Sequence, residues 1–156
     1  THIIQIKKGQ AKAPNLVNLL SNDKILKLFH FGRFDIAILF STFGVITSPV
    51  YCTKIASKIA RTYTDRHGLK NLLSEILDVD ISKQQQSSDW GAKHLSKAQI
   101  EYAATDVLYL HALREKLNEM LTRENRSELA NECFKFLPFR AILDIKGWND
   151  IDIFEH

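Results

Sequence analysis

The segment from Ser96 to Arg123 constrains the fold more than any other part of this chain. Ser96-Lys97-Ala98-Gln99 matches a capping box, in which the serine hydroxyl satisfies a backbone amide and the glutamine reaches back. A helix is therefore predicted to begin near Lys97 and to run to about Arg123. From Ile100 to Leu113 it is apolar almost all round, the pattern of a helix buried on several sides. Tyr102 and Asp106 stand four residues apart and so share one face of it. Asp106 is thereby expected to be buried. Its helix neighbours Ala103, Tyr109, Tyr102 and Leu110 carry no positive charge, and an unpaired buried carboxylate costs several kcal/mol or takes up a proton. A distant Lys or Arg, backbone donors, a raised pKa or a bound metal ion can each compensate it. Only the last two lead directly to function.

The rest of the chain supplies strands early and helices late. His2 to Ile6 is β-rich and is expected to form a strand ended by Lys7-Lys8-Gly9. Pro14 opens a helix through Leu20. Ile25 to His30 reads as a second strand, followed by a helix carrying Phe34, Ile36, Ala37, Leu39 and Phe40 and ended by Gly44. A short strand is expected within Val45 to Val50, and helices over Lys54 to Arg61 and Leu69 to Leu77. Ser82 to His94 has no periodicity and reads as a polar loop with a turn at Asp89-Trp90-Gly91. A last helix from Ser127 is expected to be halted or bent at Pro138, before an aromatic-bearing end with Trp148 and Phe154. The sum is an α/β domain whose small sheet is covered by helices.

At 156 residues, 45% hydrophobic and 25% charged, the chain reads as one globular domain over residues 1–156, long enough to bury a sizeable core. Twenty-one Lys and Arg against eighteen Asp and Glu leave a net charge of +3, which permits a polyanionic partner without requiring one. The cations Lys54, Lys58, Arg61, Arg66, His67 and Lys70 crowd one stretch, as a solvated helix face or as a surface for phosphates. Cys52 and Cys133 lack zinc-like spacing and are expected to be reduced thiols. No apolar run is long enough to span a membrane and no signal peptide opens the chain, so a cytoplasmic location is expected. The sequence starts at Thr1, directly in a strand-like run, and an upstream part of the natural protein is expected.

His30-Phe31-Gly32-Arg33-Phe34-Asp35 places a second carboxylate just beyond a predicted strand, where α/β proteins often gather ligands. Alone, Asp35 is equally a complement to a helix N-terminus, worth about 0.3–1 kcal/mol. This motif, with His-Gly-Leu-Lys-Asn-Leu at 67–72, Gln-Ser-Ser-Asp-Trp at 86–90 and Tyr-Ala-Ala-Thr-Asp-Val-Leu-Tyr-Leu at 102–110, resembles ribonuclease D. That family lies in the branch of the DEDD exonucleases with a Tyr-x-x-x-Asp third motif. The resemblance runs from about Ile3 to Leu121, and the ending from Arg126 to Phe154 resembles short bacterial members without extra C-terminal helical domains.

The resemblance implies a ribonuclease H-like exonuclease fold, a small central mixed sheet flanked by helices. It also implies two divalent ions, Mg²⁺ or Mn²⁺, held by four carboxylates, and hydrolysis of nucleic acid from the 3′ end. Asp35 matches the acid of the second motif, Asp106 that of the third, and Tyr102 the tyrosine that positions the attacking water. The first motif, an Asp-x-Glu on an early strand, is absent. The run at 2–6 resembles the family's third strand, so this fragment brings two of four acids and is expected to bind metal weakly and be inactive on its own. Tyr51-Cys52-Thr53 departs from relatives with Asp before the Thr, and Cys52 reads as a structural residue at a helix start. His30, Arg66, Lys70 and Lys83 are candidates for substrate contacts, against structural or solvated roles. Trp90 either stacks on a base or anchors its loop. An RNA 3′ end such as a transfer RNA precursor is the implied substrate. A non-catalytic nucleic-acid-binding module and a DNA exonuclease are the alternatives.

Overall fold

The structure, a computed structural model, describes residues 1–7, 9–10, 12–82 and 84–155. In chain order the elements are α1 (Pro14–Ser21), β1 (Lys27–Phe29), α2 (Arg33–Phe43), β2 (Val50–Cys52), α3 (Thr53–Ala60), α4 (Leu69–Leu77), α5 (Lys97–Leu108), α6 (Leu110–Arg123) and α7 (Ser127–Leu143). A wide π-type turn follows at Asp144–Trp148. The expected small sheet is present as two parallel strands, with Lys27 opposite Val50, Leu28 opposite Tyr51 and Phe29 opposite Cys52. Parallel strands need a crossover, and α2 supplies it. Gly44 ends α2 as expected, in a left-handed conformation at φ 66°, with its amide donating to the Phe40 carbonyl. The buried Lys27 ammonium donates to the carbonyls of Asn22 (2.8 Å) and Ser48 (2.5 Å), tying together the chain entering each strand.

Helical periodicity builds the core. Leu110, Leu113, Leu117 and Leu121 make one buried stripe on α6, and Ala130, Phe134, Leu137 and Ala141 make one on α7. Ala56 and Ala60 face them from α3, where small side chains permit close approach. The sheet adds Val50, Tyr51 and Cys52.

The structure corrects several expectations. Residues 2–6 form no strand: Ile3, Ile4 and Ile6 are exposed, and Gln5 makes one side-chain hydrogen bond, to the Ala92 carbonyl at 3.4 Å. β-rich composition becomes a strand only where a neighbour supplies the ladder, and β1 and β2 pair with each other. The strand expected within 45–50 lies later, at Val50–Cys52. The helix from Lys97 is interrupted at Tyr109, whose backbone stays right-handed but shifts to φ −97°, ψ 0°, so α5 and α6 are separate. They also rest on different supports, because α6 buries four leucines while α5 buries Gln99 alone. Ile100, Val107 and Leu108 are exposed, and Asp106 is half-buried rather than enclosed. Finally, α7 is not halted at Pro138 but runs on to Leu143. Packing of Leu137, Pro138 and Ala141 in the core offsets the roughly 3 kcal/mol that an interior proline costs. Among the described residues no helix is long and apolar enough to cross a membrane.

Candidate active site

The cleft that gathers the candidate residues opens where β1 ends. Phe31 there takes a left-handed backbone (φ 61°), strained for a bulky residue, and Gly32 follows it. A Cβ on Gly32 would lie 2.5 Å from the Cβ of Phe29, so only glycine fits this turn. The turn delivers Asp35 into the first turn of α2. Arg33, between them, turns to the other side and makes a bidentate pair with Asp144 (2.5 and 2.6 Å), which Arg140 joins at 2.8 Å. The arginine of the motif thus fastens the start of α2 to the end of α7.

The cleft holds about 690 Å³. The end of β1 contributes His30 and Phe31, α2 Asp35, α3 Lys54, the start of α4 Gly68, Leu69 and Lys70, the polar loop Ser82 and Gln86, and α5 Tyr102, Asp106 and Val107. Asp35, Tyr102, Asp106, His30 and Lys70, named from sequence, therefore meet in one place. Both carboxyls are pushed above the ordinary range, chiefly because burial disfavours their charged forms. Asp35 is exposed as a residue, yet its carboxyl faces the cleft, where protein replaces part of its water. The Tyr102 hydroxyl offsets part of the effect of burial on Asp106, whose pKa stays raised, while the Tyr102 pKa is raised by burial and then by Asp106. Among the described residues neither Asp35 nor Asp106 has a cation in an ion pair.

Two uncompensated hard-oxygen donors in one cleft suit a divalent cation of the Mg²⁺ or Mn²⁺ type. They fit as part of a ligand set only, because the described residues contain no group of three or more His, Cys, Asp or Glu able to hold an ion. The cations nearby have other engagements. Lys54 sits 3.6 Å from the centre of the Phe31 ring, and Lys70 lies 3.4 Å from Asp80. His30 is driven down to about 4, by burial first and Lys54 second, and is neutral at physiological pH.

Other sequence candidates lie elsewhere. Arg66 is exposed and pairs with Glu75 at 2.6 Å, outside the cleft lining. Trp90 is not in that lining either; its ring packs 5.9 Å from that of Tyr102. Its loop is clamped by Gln99, which donates to the Ser88 hydroxyl (3.2 Å) and the Asp89 carbonyl (2.9 Å). Lys83 falls outside the described residues. The basic run 54–70 is not a uniform solvated face, since Arg61 and His67 are buried. Cys52 is buried immediately before α3, as expected for a structural residue. Sequence reading gave no site role to Phe31, Thr53 or Gln86. Only the glycine after Phe31 signalled the unusual turn.

The sequence profile described as 3′–5′ exonuclease matches residues 1–122. Ribonuclease D of Acidiphilium cryptum is 39% identical over 114 residues, 73% of this chain and 29% of the relative. DNA polymerase I of Aquifex aeolicus is 38% identical over 118 residues, 76% of this chain and 20% of the relative. Among solved structures, Brucella melitensis NrnC aligns with a TM-score of 0.94 and 62% identity, over 97% of this chain and 74% of that one. Ribonuclease D of Escherichia coli aligns with a TM-score of 0.75 and 26% identity, over 87% of this chain and 37% of that one. The chain belongs to the 3′–5′ exonuclease family, in its ribonuclease D-like group, and has the ribonuclease H-like exonuclease fold expected from its motifs. It spans about 30% of the length of the ribonuclease D relatives it matches.

Proposed function

We propose that the protein is a metal-dependent 3′–5′ exoribonuclease that hydrolyses RNA phosphodiesters from the 3′ end and releases nucleoside 5′-monophosphates. The observation that carries this reading is the convergence of Asp35 and Asp106 on one cleft, from different helices and without cationic partners among the described residues, with the Tyr102 hydroxyl beside Asp106. Bound there, two Mg²⁺ or Mn²⁺ ions supply a water of lowered pKa and charge stabilisation on the entering and leaving oxygens. Asp35 and Asp106 would hold them. Tyr102, kept protonated by burial and by Asp106, orients the attacking water through its hydroxyl. Lys54 and Lys70 meet the phosphates of the strand, and the Trp90 ring, packed 5.9 Å from that of Tyr102, steadies it. Two carboxylates are half of the set this chemistry uses, so residues 1–156 alone bind the ions weakly and turn over poorly, and full activity requires further acidic ligands.

RNA is favoured over DNA because ribonuclease D recurs among the relatives, and the E. coli enzyme is described as acting in structured RNA processing. Structured precursors such as transfer RNA are one substrate class. Short oligonucleotides are a second, because B. melitensis NrnC, in a structure 61% identical to this chain, was solved with pGG. A cytoplasmic location goes with two free thiols and an RNA substrate. The presence of two acids instead of four favours one rival, a module that binds RNA without cutting it. The test uses the complete reading frame with 3′-labelled RNA and matched DNA, in Mn²⁺ and in EDTA. Stepwise shortening of RNA that EDTA stops and that Asp106→Asn and Tyr102→Phe abolish is the expected result. Shortening that persists undiminished in Asp106→Asn overturns the assignment, and RNA retention with no product in any arm favours the binding module.

A further inference from the structure

Nδ1 of His30 lies 2.9 Å from Oγ1 of Thr53, and that oxygen lies 3.2 Å from the carbonyl oxygen of Phe29. A threonine hydroxyl has one proton to donate, and a carbonyl oxygen only accepts. The Thr53 proton therefore goes to Phe29, which leaves Oγ1 to accept from the ring. Nδ1 carries the hydrogen, and in the neutral ring Nε2 carries a lone pair. Among the described residues nothing donates to Nε2, and it is not one of the polar atoms sealed from solvent without a partner. It opens instead on the cleft shared by Asp35, Tyr102 and Asp106. The relay is built into the strand pair. Phe29 ends β1 opposite Cys52, and Thr53, fully buried, follows Cys52 directly.

A phosphodiester offers acceptors and no donors, so an acceptor in the cleft wall matches another part of a nucleotide. We propose that Thr53 is a positioning residue that holds His30 in its acceptor tautomer, and that Nε2 accepts the hydroxyl proton of a ribose bound in the cleft. The ligand half of this assignment rests on reading the cleft as a nucleic-acid site. The 2′- and 3′-hydroxyls share that chemistry, and the experiment separates them.

The test uses the full-length protein, labelled with ¹⁵N in its histidines and free of metal. The His30 nitrogens are read by NMR during titration with adenosine 5′-monophosphate and with its 2′-deoxy and 3′-deoxy forms. Expected are a protonated Nδ1 and an unprotonated Nε2 in the free protein. The ribonucleotide then moves the Nε2 resonance, and one of the deoxy forms binds about three- to tenfold more weakly without moving it. Thr53→Val mixes the tautomers and erases the difference between nucleotides, and Thr53→Ser restores both. A wild-type ring protonated at Nε2 overturns the proposal. So does an Nε2 resonance unmoved by saturating ribonucleotide, or equal binding of all three. If Thr53→Val does not fold, the wild-type tautomer and titration decide alone. None of these readouts requires turnover, so failure of the nuclease assignment shows separately, in the cleavage assay.

Discussion

Replacing Glu75 with Gln tests how the two helices that wall the cleft are held together. Arg61, at the end of α3, is 3% exposed, and its guanidinium donates to Glu75 on α4, to the Arg66 carbonyl at 3.2 Å and to the Tyr63 hydroxyl at 3.3 Å. The other Glu75 oxygen takes Arg66 at 2.6 Å. Glu75→Gln keeps the shape and one acceptor but leaves the Arg61 charge buried without its counter-ion. Breaking a fully buried pair from one side costs about 3–5 kcal/mol. The Glu75 side chain is 31% exposed, so water and the amide oxygen recover part of that, and the expected loss is about 2 kcal/mol. That is a factor of about 30 in the unfolding equilibrium. Urea denaturation followed by far-UV circular dichroism should give a lower midpoint at unchanged slope. Arg61→Met removes the orphan charge, so combined with Glu75→Gln it should cost at least about 1 kcal/mol less than the sum of the single changes. A Glu75→Gln loss below about 0.5 kcal/mol, or additive costs, would refute the reasoning. Because α3 carries Thr53 and Lys54 and α4 opens with Leu69 and Lys70, the variant should also weaken RNA binding without altering the acids.

Two further outcomes are expected. Folding raises the pKa values of Asp35 and Asp106, so their stabilising contribution is complete below 3.8 and is lost as pH rises through the raised values. Without metal, Asp106→Asn should therefore gain on the wild type in melting temperature from acid towards neutral pH. Over the same range the Mn²⁺ affinity of the wild type should rise as protons leave the site, and melting curves that stay parallel across pH contradict this account. Ser96→Ala removes half of a capping box whose bonds are 3.2 Å (Gln99 amide to Ser96 hydroxyl) and 2.8 Å (Ser96 amide to Gln99 side chain), at a cost of about 1 kcal/mol. Because Gln99 also clamps residues 88 and 89, Trp90 emission should shift to the red, and an unchanged spectrum would show that the cap does not support the loop.

The start of α5 was legible because capping is local chemistry: the Ser96–Gln99 box closes within four residues and needs no neighbour. Gly44 ended α2 for the same reason. The strand expected at residues 2–6 was not realised, because pairing depends on a partner that composition does not name. Periodicity also overstated the burial of Asp106. An apolar residue such as Leu108 reads the same whether another element covers it or leaves it 60% exposed. No residue type announced the break at Tyr109, and only Gly32 hinted at the left-handed Phe31 before it.

The sequence by itself determined the chemical inventory: two acids and a tyrosine on motifs that resemble those of one family, no Asp-x-Glu of that family's first motif, and a net charge of +3 that left the partner open. Spacing along a helix sufficed to put Tyr102 beside Asp106, since i and i+4 share a face wherever that helix docks. Only the tertiary structure brought Asp35 to them across about seventy residues. It also committed Arg33 to Asp144 and Arg66 to Glu75, and it set the His30 ring against Thr53. Each of those outcomes depends on which side chain from a distant segment arrives within about 3 Å, a distance at which hydrogen bonds and ion pairs form and one that no local pattern encodes.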